Sequence, residues 1–172
     1  MPFFLADIGK LIDAGGPVLL LIAGLLLVMW TLVFERLWYF HSTLKREAAE
    51  VLARWESRPE RRSVRAHQVR EALISSVGLN INRNLSMIRA LIAIAPLLGL
   101  LGTVTGMIGV FDVLSLSGSG DARSMAAGVS RATIPTMAGM VAALSGVFAN
   151  TYLRRVADRE QQILADHLTM DH

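Results

Sequence analysis

Residues 94–111 read IAPLLGLLGTVTGMIGVF, with Gly99, Gly102, Gly106 and Gly109, one proline and two threonines among side chains that suit oil. Glycine weakens an isolated helix by about 1 kcal/mol relative to alanine, so four of them call for a compensating use. The surrounding run, Ala90 to Phe111, holds no Asp, Glu, Lys or Arg, and neither do Ala14 to Phe34 and Ala132 to Leu153. Runs of about 21 residues at about 1.5 Å each reach roughly 32 Å, enough to cross a hydrocarbon core of about 30 Å. A soluble three-helix bundle would need a polar covering. With 53% hydrophobic and 18% charged residues sorted into blocks, too little is left to supply one. The sequence therefore reads as an all-α membrane protein with three transmembrane helices and helical extensions into the cytoplasm.

The composition excludes several chemistries. There are no cysteines, so disulfides, thiolate nucleophiles and Cys-ligated metals are absent. His41, His67, His167 and His172 lie outside the apolar runs without metal-ligand spacing, and no cofactor or metal is expected. No His/Asp/Ser constellation stands at membrane depth to perform covalent chemistry, so an enzyme is not expected. The basic balance, 17 Lys and Arg against 14 Asp and Glu, fits topology and contact with anionic lipid rather than nucleic acid.

Along the chain, residues 1–13 set Phe3, Phe4, Leu5, Ile8, Leu11 and Ile12 against Asp7, Lys10 and Asp13, as in an amphipathic helix lying on a membrane surface. The Ala14-Gly-Gly-Pro17 stretch breaks it, and Pro17 suits the first turn of the next helix. A cleaved signal peptide is disfavoured by Lys10 and by the length of the apolar run. The first span, 14–38, closes on Glu35-Arg36 and Trp38, and aromatic rings mark headgroup level. Residues 39–89 form the one sizeable hydrophilic region; its segment 41–89 has ten Lys or Arg against five Glu. Arg54, Arg58, Arg61, Arg62, Arg65 and Arg70 read there as a solvated, lipid-facing or partner-docking surface. Pro59-Glu60 could open a helix that continues into the second span, 90–113, through Ile88-Arg89. A Ser/Gly-rich loop, 114–127, leads to the third span, 128–153, and a tail, 154–172. The positive-inside rule places 39–89 and the tail in the cytoplasm, giving three spans, N-out and C-in, with 1–13 and 114–127 on the periplasmic side.

Spans two and three look built for close approach. Gly102 and Gly106 form a GxxxG pair, with Gly99 and Gly109 on the same side. The third span repeats the device with Ala138, Ala142, Gly146 and Asn150, four apart. In lipid, helices associate by packing rather than by a hydrophobic effect, so small residues mark a seam. Thr103, Thr105, Thr133 and Thr136 add hydroxyls, which either bond to the preceding turn or line a narrow, partly hydrated lumen. No acid lies within the charge-free run of a span; Asp112 and Arg131 stand at the edges. A proton relay through the bilayer needs a titratable group there, so such a relay would have to borrow its carboxylate from a partner.

APLLGLLGTVTGMIGVF, 95–111, closely resembles the signature of the ExbB/TolQ/MotA proton-channel family, and Gly128 to Leu153 is similar to that family's final helix. Gly15-Gly16, Glu35-Arg36 and the three-span layout agree. The short loop is most like that of compact ExbB subunits. The resemblance implies a ring-like homopentamer in the bacterial inner membrane. Its central channel would hold the helices of an ExbD-like single-span partner carrying an essential aspartate. Proton flow would be converted to mechanical work on a TonB-like protein, energising outer-membrane uptake of iron–siderophore or cobalamin. By motif position, Thr103 and Thr136 match lumen-facing polar residues, and the glycine seam is expected to let five copies pack tightly. The sequence departs from the family at Arg131, where ExbB proteins commonly carry Glu. That arginine could meet lipid headgroups or pair with Asp112 or Asp121. A TolQ-like envelope-maintenance motor subunit and a non-conducting membrane scaffold are the rival readings. A MotA-like role fits less well, because that branch has four spans.

Overall fold

The computed structural model describes residues 2–57, 64–117 and 122–168, and among these every regular element is helical. Helix α1 runs Pro2–Trp38, a five-residue π-helical turn follows at Tyr39–Thr43, and α2 runs Leu44–Glu56. Then come α3, Val64–Asn82, α4, Leu85–Ser117, and α5, Ala122–His167. Three helical stretches, Gly16–Glu56, Val64–Ser115 and Met125–His167, are long and apolar enough to cross a membrane. At about 1.5 Å per residue, the 46 residues of α5 extend about 69 Å, far beyond a hydrocarbon core of about 30 Å. The helices therefore outlast the charge-free runs from which they were read.

Within α1 the backbone leaves helical geometry at Gly16, with φ 65° and ψ −166°. Only glycine visits that region readily, and the pyrrolidine of Pro17 pushes its predecessor away from the helical well. Between α4 and α5 the helices extend into the stretch expected to be a loop, reaching Ser117 and resuming at Ala122. The expected helix start at Pro59-Glu60, most of the arginine cluster's middle, and Asp121 lie outside the described residues.

The chain folds as two compact units, residues 1–30 with 89–147, and residues 31–88 with 148–172. The first contains a lean core of Val18, Ile22, Ala95, Ala142 and Ala143. The second buries larger side chains, among them Phe40, Leu44, Trp55, Ile81, Leu153 and Leu164. The helix expected to run unbroken into span two is interrupted at Arg83-Asn84. Asn84 takes φ 65°, and its carbonyl accepts the amide of Ile88 at 2.9 Å in the opening turn of α4. Asparagine is one of the few side chains that tolerate this left-handed conformation.

Candidate functional site: the small-residue seam and its hydroxyls

In the first unit, α4 and α5 run antiparallel and meet on small residues. A methyl group added at Gly99 would lie 2.9 Å from the Thr136 Cα, and one at Gly106 would lie 2.8 Å from the Ala132 Cβ. One at Gly102 would collide with the Pro135 ring. From the other side, Gly139 leaves room for the Ala95 carbonyl at 2.5 Å and the Gly99 Cα at 3.1 Å. Gly146 does the same for Ile92 and Met29, each 2.6 Å from where its Cβ would stand. Ala142 is buried in the core and Ala138 packs against it. Backbone approach of this kind is how helices gain dispersion energy where lipid tails offer no hydrophobic contrast.

This finding corrects one expectation. Gly99, Gly102 and Gly106 do not face outward for a second copy; the same chain's α5 fills their groove. Pro135 explains the fit, because its ring supplies a ridge that only a bare backbone can accommodate. Gly109, read from the sequence on the same side, has nothing within 4 Å of its would-be Cβ.

The hydroxyls are engaged in two ways. Thr103 donates to the Leu100 carbonyl at 2.7 Å, Thr105 to Leu101 at 3.0 Å, and Thr133 to Ser130 at 2.8 Å, all within their own helices. Thr136 instead donates across the seam to the Gly99 carbonyl at 2.9 Å, tying α5 to α4. The absent side chain at Gly99 is what lets the hydroxyl reach. Each hydroxyl spends its proton on a carbonyl and keeps acceptor lone pairs for another donor. Thr103 and Thr136 are both half-buried. Arg131 is exposed and, among the described residues, makes no ion pair with Asp112.

In the second unit, Glu35 and Arg36 grip the turn between α3 and α4. Asn84 Nδ2 donates to Glu35 Oε2 at 2.8 Å, and Arg36 Nη1 donates to the Asn80 carbonyl at 2.9 Å. Arg36 is only 3% exposed, and its guanidinium also lies 3.5 Å from Glu35 and 5.1 Å from the Tyr39 ring centroid. A buried cation without such partners would cost several kcal/mol. Tyr39 in turn donates to Glu47 at 2.6 Å. These residues were read from the sequence as a boundary marker, and the structure gives them a fastening role. Asn84 and Arg70 were missed. Asn84 stands in an Asn-Arg-Asn run, a plausible left-handed turn signal. Arg70, counted in a solvated cluster, donates to the carbonyls of Leu168 at 2.6 Å and Ala165 at 2.9 Å. It thereby satisfies orphan acceptors at the C-terminal end of α5, where a cation is also favoured by the helix dipole. No local pattern could announce a contact 98 positions away.

Residues 38–166 match the model of the MotA/TolQ/ExbB proton channel family. The chain is similar to the putative biopolymer transport protein ExbB-like 1 of Synechocystis sp., 30% identical over 83% of this chain and 70% of the relative. It is also similar to the biopolymer transport protein ExbB of Helicobacter pylori, 33% identical over 49% of this chain and 59% of that relative. A second Synechocystis protein, ExbB-like 3, is 33% identical over 45% of this chain, which spans 40% of that relative. With three apolar helices and a family match over most of its length, the chain belongs to the MotA/TolQ/ExbB proton channel family and is a multi-pass protein of the bacterial inner membrane.

Proposed function

We propose that the chain is an ExbB-type stator subunit, forming a homopentameric ring around the transmembrane helices of an ExbD-like partner. In this reading the chain lies N-out and C-in. The partner brings the carboxylate that protons occupy, and their passage is converted into work on a TonB-like protein. That work energises outer-membrane uptake of iron–siderophore complexes or cobalamin. One observation carries the reading: a member of a proton channel family has no Asp, Glu, His, Lys or Arg in Ala90 to Phe111 or Ala132 to Leu153. A proton crossing about 30 Å of hydrocarbon needs a titratable relay, so the relay belongs to another chain.

Thr103 and Thr136 then act as acceptors along the path. Their protons are held by backbone carbonyls, which orients their lone pairs toward water or hydronium in the lumen. Arg131 lies at the periplasmic end of span three, where its long side chain can reach headgroups. Proton flux into vesicles containing the chain and its co-expressed partner tests this. Replacing Thr103→Val and Thr136→Val together is expected to abolish flux, while Thr136→Ser, which keeps the hydroxyl, retains it. Full flux in the double valine variant would remove both residues from the path.

One observation favours a second reading. Thr136 is engaged in packing, as expected of a non-conducting scaffold. That reading requires no flux from the wild-type complex. A TolQ-like envelope-maintenance role would leave the flux and change only which periplasmic protein the motor drives.

A further inference from the structure

The second unit carries an apolar groove that the proton path does not use. Leu44, Ala48 and Leu52 from α2, Val77 and Ile81 from α3, and Leu164 from α5 line it, with Glu160 among them. Its volume is about 100 Å³, on the scale of the ~150 Å³ apolar cavities that take up benzene. We infer that this groove receives Leu79 of a neighbouring copy of the chain.

Five observations choose that occupant. Leu79 is 73% exposed, a large apolar side chain in the most hydrophilic part of the sequence. It does not dip into the bilayer core, because Arg83 and Arg89 separate it from the charge-free run that begins at Ala90. Its surroundings suit close approach, since Ala72, Ser75 and Ser76 on its face of α3 are small and exposed.

The placement also fits a ring. Leu79 lies two residues from both Val77 and Ile81, about 200° around a helix of 3.6 residues per turn, so it points away from the groove they line. Knob and groove on opposite sides of one subunit make a head-to-tail contact, which closes into a ring when the rotation allows. Copies related by rotation touch only at equal height along the axis. Leu79 meets that requirement, being between two groove residues along α3. Charge agrees as well: exposed Arg83, one turn from Leu79, would approach Glu160 at the neighbouring groove.

The inference rests on the ring-forming reading above, and the test separates the two. The chain has no cysteine, so an introduced pair reports without background. Leu79→Cys and Ala48→Cys, combined in one full-length chain with its partner, are oxidised in membranes. Native mass spectrometry of the unoxidised complex gives its size. We expect a multimer and, after oxidation, a ladder of cross-linked bands absent from either single-cysteine variant. Opposite faces of α3 keep the two thiols of one chain too far apart for an internal bridge. A multimer without the ladder overturns the Leu79 contact and leaves the ring standing. A monomer overturns both.

Discussion

The two compact units of this chain solve the packing problem with opposite materials. The first holds its helices with Gly99, Gly102, Gly106, Gly139 and Gly146, with alanines between, so that backbone meets backbone or a proline ring. The second buries Trp55, Phe40 and a set of leucines and isoleucines, and fastens its turns and ends with Arg36 and Arg70. The difference follows from the solvent. In lipid, a large apolar side chain is as content outside as inside, so contact area comes from thin helix walls. In water, burying apolar surface stabilises by about 25 cal/mol per Å², which rewards large side chains, and arginines reach backbone acceptors from the rim.

That contrast can be broken most sharply at Gly102. Gly102→Leu forces a side chain into the Pro135 ring and is expected to abolish the native fold of the first unit. Loss of the thermal transition in detergent would show it, with Gly109→Leu, where nothing lies within 4 Å, unchanged. Equal tolerance of both substitutions would sink the seam. A smaller effect is expected in the second unit. Trp55→Ala should cost about 3–5 kcal/mol in denaturant stability, the range for emptying a fully buried aromatic site. A loss below about 1 kcal/mol would place this unit's stability elsewhere. Smallest is the turn. Asn84→Ala should destabilise by about 1–2 kcal/mol, and more where the link to Glu35 contributes, whereas Asn84→Gly restores the backbone freedom and loses only that link. Identical behaviour of the two variants would show that φ is not what selects asparagine.

Much of the first unit was legible before any coordinates. Charge-free runs of fixed length specify spans, and glycines at three- and four-residue spacing specify a face. What faced them was not legible. Ala132, Pro135 and Thr136 sit about 30 positions away, and small residues look alike whether they serve their own chain or a neighbour's. The second unit was read less well. Its arginines suggested a solvated surface because composition cannot distinguish a guanidinium in water from one on a distant carbonyl, as Arg70 shows.

The sequence by itself determined that the chain crosses a membrane, where it does so, and that the apolar runs of its spans carry no Asp, Glu, Lys or Arg. These are properties of transfer from water to hydrocarbon, which each segment settles alone. The tertiary structure decided who occupies the glycine seam, which carbonyl holds Thr136, and that Glu35 and Arg36 clasp the turn at Asn84. Those outcomes depend on which distant surfaces fit together, and shape complementarity is written in no single stretch of chain.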